Sequence, residues 1–159
     1  MAGVLTNTIR LNHMEYEQAK SSNEESIKNL LESHGLPASD INDHLGNFIV
    51  AKESSEIVGV GGFEICNDYA LLRSFAVNSS HKGLGIAEQI FNLVEEQAIK
   101  SGIKAFYLLT DTASQYFERL AFYECSRDIA PESIRNTKQF SGLCPDTATM
   151  MCKVLVTVK

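Results

Sequence analysis

The stretch NDYALLRSFAVNSSHKGLGIAEQIFNLVEEQAIKSG, Asn67 to Gly102, decides the reading of this chain, because it joins a strand, a glycine turn and a helix without a break. Asp68 to Val77 is almost continuously apolar, the pattern of a strand covered on both faces. Asn78-Ser79-Ser80-His81 is turn chemistry. Gly83 and Gly85 then release the backbone from side-chain sterics, and Ile86, Ile90, Leu93 and Val94 recur at helical spacing. Gly102 suits the C-terminal cap. A helix that opens on glycines directly after a strand presents unpaired N–H groups, and about half a positive charge, to whatever lies before it. That is an anion cradle. The dinucleotide fingerprint G-x-G-x-x-G would need a third glycine where Glu88 stands, and the nucleotide P-loop needs a Gly-Lys-Ser/Thr that the stretch lacks.

Lys82-Gly83-Leu84-Gly85-Ile86-Ala87 resembles instead the Q/R-x-x-G-x-G/A motif of the GCN5-related N-acetyltransferases. Lys82 replaces the usual Arg or Gln, keeping a donor while losing the planar fork. LRSFAV before the motif looks like that family's fourth strand, and ASQYFERLAF, Ala113 to Phe122, looks like its A-x-x-F-Y-E-x-L-G-F helix. The resemblance implies acetyl-CoA as co-substrate, its pyrophosphate on the helix N-terminus, with Phe75, Ala76, Val77, Lys82, Gly83, Leu84, Gly85, Ile86, Ala87 and Phe117 on the cofactor side. It implies no metal. It also implies that the strands flanking the glycine-led helix splay apart, leaving a gap for the pantetheine arm.

A chain of 159 residues reads as one domain over 1–159, large enough for a substantial core. A formal charge of −6 argues against a general nucleic-acid or acidic-membrane binder, since phosphate backbones demand clustered Lys and Arg. No run of about 20 apolar residues appears, and the first residues lack a signal peptide's pattern, so the expected compartment is the cytoplasm. Cys66, Cys125, Cys144 and Cys152 are scattered without a C-x-x-C, which favours reduced thiols; spacing gives no support to a metal or metalloid site built on Cys144.

Along the chain, residues 6–12 read as a short first strand. Ser22 or Asn23 caps a helix with Glu24 and Glu25 at its positive end, Ile27, Leu30 and Leu31 as buried stripe and Gly35 as terminator. Ala38 to Gly46 holds one more helical turn. Strands follow over Phe48 to Lys52 and Glu56 to Cys66, with turns at Glu53-Ser54-Ser55 and Asn67-Asp68. Gly59, Gly61 and Gly62 interrupt the third strand, through either tight packing or a substrate groove. Later elements are a strand over Lys104 to Leu109, a helix over Ala113 to Leu120, and strands over Phe122 to Ser126 and Thr147 to Thr157. The order β-α-(α)-β-β-β-α-β-α-β-β describes an α/β (α+β) fold: a mixed, mostly antiparallel sheet of six to seven strands with helices on both faces. The unit from Asp68 to Leu109 is a right-handed parallel crossover.

An insertion, Asp128 to Asp146, separates the last two strands. Pro131 suits a first helical position and Pro145 closes the segment. SIRNTKQFSGLCP within it, with the LLRS-AV strand, resembles the arsenic-resistance-associated (ArsN-type) acetyltransferases.

Acetyl transfer to an amine requires a neutral nucleophile, donors for the developing oxyanion and a fate for the departing thiolate. The resemblance assigns the oxyanion to backbone N–H groups around Ala76 and Val77. Arg73 lies in an apolar strand and needs a carboxylate partner. A two-residue loop at Asn67-Asp68 places Glu64 diagonally from it, roughly 7 Å away on one sheet face. One reading is a structural ion pair. The other has Arg73 holding the acid group of an amino-acid-like acceptor over the space left by Gly62, while Glu64 or a water it holds takes the amine proton. His44 is a reserve base; His13, His34 and His81 lack partners identifiable from sequence. The family helix offers a tyrosine as general acid where this chain has Phe117, with Tyr116 one place earlier and about 100° round the helix. Tyr107 and Tyr123 are other hydroxyls, or the thiol leaves unaided as thiolate, with Tyr116 then a packing residue or acceptor-pocket wall.

Two classes of function remain. One is an acetyl-CoA-dependent N-acetyltransferase acting in a ternary complex on a small, amino-acid-like amine, with protein amines as alternative acceptors. The other is a non-catalytic acyl-CoA-binding sensor or partner module, supported by the absent tyrosine. The expected assembly is a monomer or homodimer.

Overall fold

The computed structural model describes residues 14–143 and 147–155. Along the chain run β1 (Met14–Gln18), α1 (Glu24–Ser33), β2 (Phe48–Glu53), β3 (Glu56–Cys66), β4 (Tyr69–Val77) and α2 (Ile86–Lys100). Then come β5 (Ala105–Thr110), α3 (Ser114–Arg119), β6 (Tyr123–Glu124), α4 (Glu132–Arg135) and β7 (Thr149–Val154). The strands form one seven-stranded sheet in the order β1-β2-β3-β4-β5-β7-β6. β4 and β5 are parallel, as the crossover requires, and the β1-β2, β2-β3, β5-β7 and β6-β7 ladders are antiparallel.

The expected strand over residues 6–12 falls outside the described residues, as do His13, Cys144 and Pro145. The structure has a strand at Met14–Gln18, where the sequence reading placed none. The expected helical turn over 38–46 is two 3-10 turns, Ile41–Asp43 and Leu45–Asn47. The sixth strand shrinks from five residues to Tyr123–Glu124, and the last is Thr149–Val154. The insertion supplies α4 and a π-helical turn, Gln139–Leu143; Pro131 sits at the N-cap of α4 rather than its first turn.

The chain divides into two compact units, Met1–Gly62 with Ser74–Val94 and Phe63–Arg73 with Glu95–Lys159. In the first unit β2 and β3 register as Val50↔Val60 and Ala51↔Gly59. Successive residues point to opposite faces. Val50 and Val60 join Ile27 and Leu31 of α1 and Ile41 in one core, while Gly59 and Ala51 lie against Ile86 and Ile90 of α2. Helices therefore cover both faces here. The three β3 glycines are explained by packing. A Cβ on Gly59 would lie 2.9 Å from Ile86 Cγ2, one on Gly61 2.6 Å from the Phe75 ring, and one on Gly62 closer still to the edge of the Phe48 ring. Of the two readings offered for these glycines, tight packing holds: the chain's own side chains take the space that a groove would need, including that above Gly62.

The second unit is built on a run of aromatic contacts. Phe63 meets Phe106 at 6.0 Å between centroids, Phe106 stacks on Phe122 at 6.4 Å, and Phe122 meets Phe117 of α3 at 5.6 Å. A second cluster joins Cys66, Leu71 and Met150 to Ala130 and Ile134 of the insertion, which makes the insertion part of the core. Ser133 Oγ–H donates to Cys66 O at 3.1 Å and Arg127 Nη2–H to Ala148 O at 2.7 Å, tying both arms of the segment down.

Candidate functional site

The turn that opens α2 is held in the left-handed region by Gly83 at φ +80° and Gly85 at φ +76°. A Cβ at either position would meet nothing within 4 Å. Glycine is required there by backbone conformation, which L side chains resist. Gln89 N–H donates to Gly85 O at 3.0 Å, opening the helical ladder, so the N–H groups of Ile86, Ala87 and Glu88 stand ahead of it as donors without a helical acceptor. Lys82 and Leu84 are exposed, Ala87 is half-buried, and Ile86 anchors the turn in the core. The arrangement suits an anion with bulk beyond one phosphate, because nothing on the outer side crowds it.

The preceding NSSH segment is pinned in place. Asn78 N–H donates to Val58 O at 2.7 Å, and Asn78 Oδ1 accepts from Ser80 N–H at 3.1 Å and Ser80 Oγ–H at 3.0 Å. His81 Nε2–H donates to Glu53 Oε1 at 3.0 Å, and its Nδ1 meets Ser80 Oγ at 2.9 Å. His81, without an identifiable partner in the sequence, thus ties the glycine turn to the end of β2.

β4 carries a feature that sequence reading missed. Ser74 is buried at φ +63°, a left-handed residue in mid-strand. That conformation costs a non-glycine residue about 1 kcal/mol or more and breaks the pleat as a bulge does. Serine gives no sign of it. Just beyond, Phe75 lies over Gly61 and 6.4 Å from Phe91, while Ala76 joins the opposite core and Val77 is half-buried. The β4-β5 ladder has three registered pairs, ending at Leu71↔Tyr107, although β4 runs on to Val77 and β5 to Thr110.

In the second unit Glu64 and Arg73 meet as the hairpin arithmetic required. Cys66 and Tyr69 bound a two-residue loop with Asn67 at φ +59°, and Arg73 Nη1 lies 3.3 Å from Glu64 Oε1. The Arg73 side chain is 0% exposed and that of Glu64 14%. Gln139, from the insertion, completes the set. Its amide belongs with the oxygen toward the guanidinium, since the reverse sets donor against donor. Oε1 then accepts from Arg73 Nε at 3.2 Å and Nη2 at 3.0 Å. The insertion thus covers the one charged group buried in β4, a role invisible across some sixty intervening residues of sequence.

His44 stands between the two 3-10 turns, with the buried Asp40 carboxylate within 4.8 Å. The Tyr116 hydroxyl is enclosed, its ring edge-on to Phe117 and 5.6 Å from the Arg119 guanidinium carbon. Tyr107 packs edge-on to Tyr69 at 5.9 Å, and burial, helped by Cys152, raises its phenol pKa. Tyr123 is exposed and titrates high because it is hydrogen-bonded to Cys152. Cys66, Cys125 and Cys152 are free thiols. Burial first, then Glu64, pushes Cys66 up to about 11; burial first, then the Cys152 hydrogen bond, pushes Cys125 up to about 12. Among the described residues no helix is long and apolar enough to cross a membrane.

Solved structures share this fold at low identity. N-acetylglutamate synthase from Neisseria gonorrhoeae, complexed with coenzyme A and N-acetyl-glutamate, superposes with a TM-score of 0.78 at 18% identity, over 90% of this chain and 35% of that one. This chain thus spans about a third of the synthase. Rv2747 from Mycobacterium tuberculosis, in complex with CoA and NLQ, gives 0.77 at 20% identity over 89% and 99% of the two chains. The ribosomal-protein-S18-alanine N-acetyltransferase of Escherichia coli gives 0.69 at 13% identity over 92% and 96%. The family profile described as the acetyltransferase (GNAT) family matches residues 10–125, ending before the insertion. With the profile matched over most of its length and the glycine turn at the head of α2, the chain belongs to the acetyltransferase (GNAT) family.

Proposed function

We propose that this chain transfers the acetyl group of acetyl-CoA to the amine of a small, amino-acid-like acceptor, by direct attack in a ternary complex. The observation that carries the cofactor half is the open, left-handed glycine turn at the head of α2. Its orphan N–H groups suit a pyrophosphate, with Lys82 beside them. Backbone N–H groups around Ala76 and Val77, beyond the left-handed Ser74 in β4, would serve the developing oxyanion. Acetyl-CoA, when bound, supplies the activated acyl group.

The acceptor half rests on Arg73 and Glu64. A guanidinium beside a carboxylate complements the carboxylate and ammonium of an amino acid, and Glu64 then takes the proton that frees the amine. The filled space above Gly62 moves this reading away from that glycine, so Arg73 is approached along its own guanidinium edge. The synthase complexed with N-acetyl-glutamate supports an acetylated amino acid as product. Tyr116 fits a packing role, since its hydroxyl is enclosed, and the thiol leaves as thiolate. A kinship with the arsenic-resistance-associated subgroup remains part of this reading only through Ser133–Pro145 and the LLRS-AV strand.

The test is acetyl-CoA-dependent thiol release with a panel of L-amino acids, their α-amides, simple amines and peptides. Release with amino acids is expected, and Arg73→Lys should raise KM for them about tenfold or more because a Lys cannot reproduce the bidentate fork. Acetyl-CoA alone should raise Tm by about 5 to 10 °C at 100 times its Kd. A thermal shift without release for any amine would establish the acyl-CoA sensor instead, the reading that Phe117 in the tyrosine position favours. Release with peptides only would make the acceptor a protein.

A further inference from the structure

We infer that the Nε/Nη2 edge of Arg73 is a carboxylate subsite whose resident occupant is the Gln139 side chain, and that an acceptor carboxylate binds by displacing it. This rests on the acetyltransferase reading above. The guanidinium uses two edges differently. Nη1 goes to the Glu64 carboxylate at 3.3 Å, whereas Nε and Nη2 both point at the single oxygen of Gln139, at 3.2 and 3.0 Å. Nε with Nη2 is a fork that a carboxylate matches with two parallel bonds, one to each oxygen. A neutral amide oxygen bridging that fork is the weaker ligand, because only the carboxylate brings charge and a second acceptor.

The surroundings hold the Gln139 backbone and leave its side chain as the part that exchanges. Gln139 opens the π-helical turn Gln139–Leu143, a distortion that recurs at functional positions. Thr137 fixes that turn, its Oγ1 accepting from Phe140 N–H at 3.2 Å and its carbonyl accepting from Ser141 Oγ–H at 2.8 Å. Arg127 lies over the Phe140 ring at 5.4 Å. Exchange at this edge therefore calls on the buried Gln139 side chain to turn aside while the hydrogen-bonded turn beside it stays in place. While in place, it satisfies a guanidinium that is otherwise fully enclosed. An amine without a carboxylate offers nothing better to Arg73, so Gln139 selects for amino acids over neutral amines.

The experiment compares KM for the best L-amino acid of the panel and for its α-amide in three variants. Gln139→Ala should lower KM for the amino acid about three- to tenfold, the scale of one net hydrogen bond, and leave the α-amide unchanged. Gln139→Met, of similar length but without the carbonyl, replaces it if Ala does not fold. Gln139→Glu installs a tethered carboxylate competitor and should raise KM for the amino acid at least tenfold, with the acetyl-CoA thermal shift intact. If Gln139 variants keep the acid-to-amide ratio of kcat/KM within about twofold while Arg73→Lys changes it, Gln139 is a structural cover and the inference fails alone. If Arg73→Lys also leaves the ratio unchanged, the carboxylate assignment of Arg73 fails with it. No turnover of any amine removes the acetyltransferase reading itself.

Discussion

Two sets of glycines, some twenty residues apart in sequence and within one compact unit, exist for opposite reasons. Gly59, Gly61 and Gly62 in β3 are glycines because the space of a side chain is already taken, by Ile86 and Ile90, by Phe75 and by Phe48. Gly83 and Gly85 are glycines because the backbone is left-handed, and the space beside them is empty. The first set is a packing requirement that ends inside the protein. The second leaves a vacancy facing outward. Glycine density is thus a poor guide to a binding site; what discriminates is whether a Cβ would strike the protein's own atoms.

Substitutions by alanine break this comparison cleanly. Gly62→Ala should have the largest effect on stability, a loss of at least about 2 to 3 kcal/mol, because the fully buried Phe48 ring has nowhere to go. Denaturant unfolding checks it, and a loss below about 1 kcal/mol would show that the ring yields. The folded fraction should still bind acetyl-CoA normally. Gly85→Ala should cost only about 1 to 2 kcal/mol, the strain of a left-handed alanine, yet abolish most of the acetyl-CoA thermal shift. An intact shift in that variant would place the cofactor elsewhere.

A third position sharpens the contrast from the other side. Ala121 stands at φ +74°, where the L-G-F of the family helix motif has its glycine. Here the conformation asks for glycine and the sequence does not supply it. Ala121→Gly should raise stability by about 0.5 to 1 kcal/mol, the relief of strain less the added freedom of the unfolded chain. A neutral or destabilising result would mean that the methyl group's packing outweighs the strain.

These cases show why part of the molecule was legible in sequence. β2 to β5 and both long helices announced themselves through periodicity and turn residues, and the loop at Asn67-Asp68 was enough to bring Glu64 to Arg73. MEYEQ did not announce β1, because its alternation of Met14 and Tyr16 with Glu15 and Glu17 spans only two apolar residues, too short a pattern to stand out at a sheet edge. Ser74 was silent because serine is unremarkable in a strand, and only tertiary context forces its left-handed backbone. Gln139 was silent because its partner is fixed by the path of the whole insertion rather than by any local pattern. The fate of the β3 glycines depended on which rings lay opposite, information that single-strand periodicity does not contain.

The raised thiol pKa values bear on the protein's relation to its own product. Each turnover of the proposed reaction would liberate coenzyme A, a thiol that enters disulfide exchange. A protein thiol joins such exchange only as thiolate. With Cys125 pushed up to about 12 by burial and Cys66 to about 11, the thiolate fraction at pH 7 is about one part in 10⁵ and 10⁴ respectively. Cys66 and Cys125 are thereby held out of mixed-disulfide exchange with the coenzyme A that the proposed reaction would release.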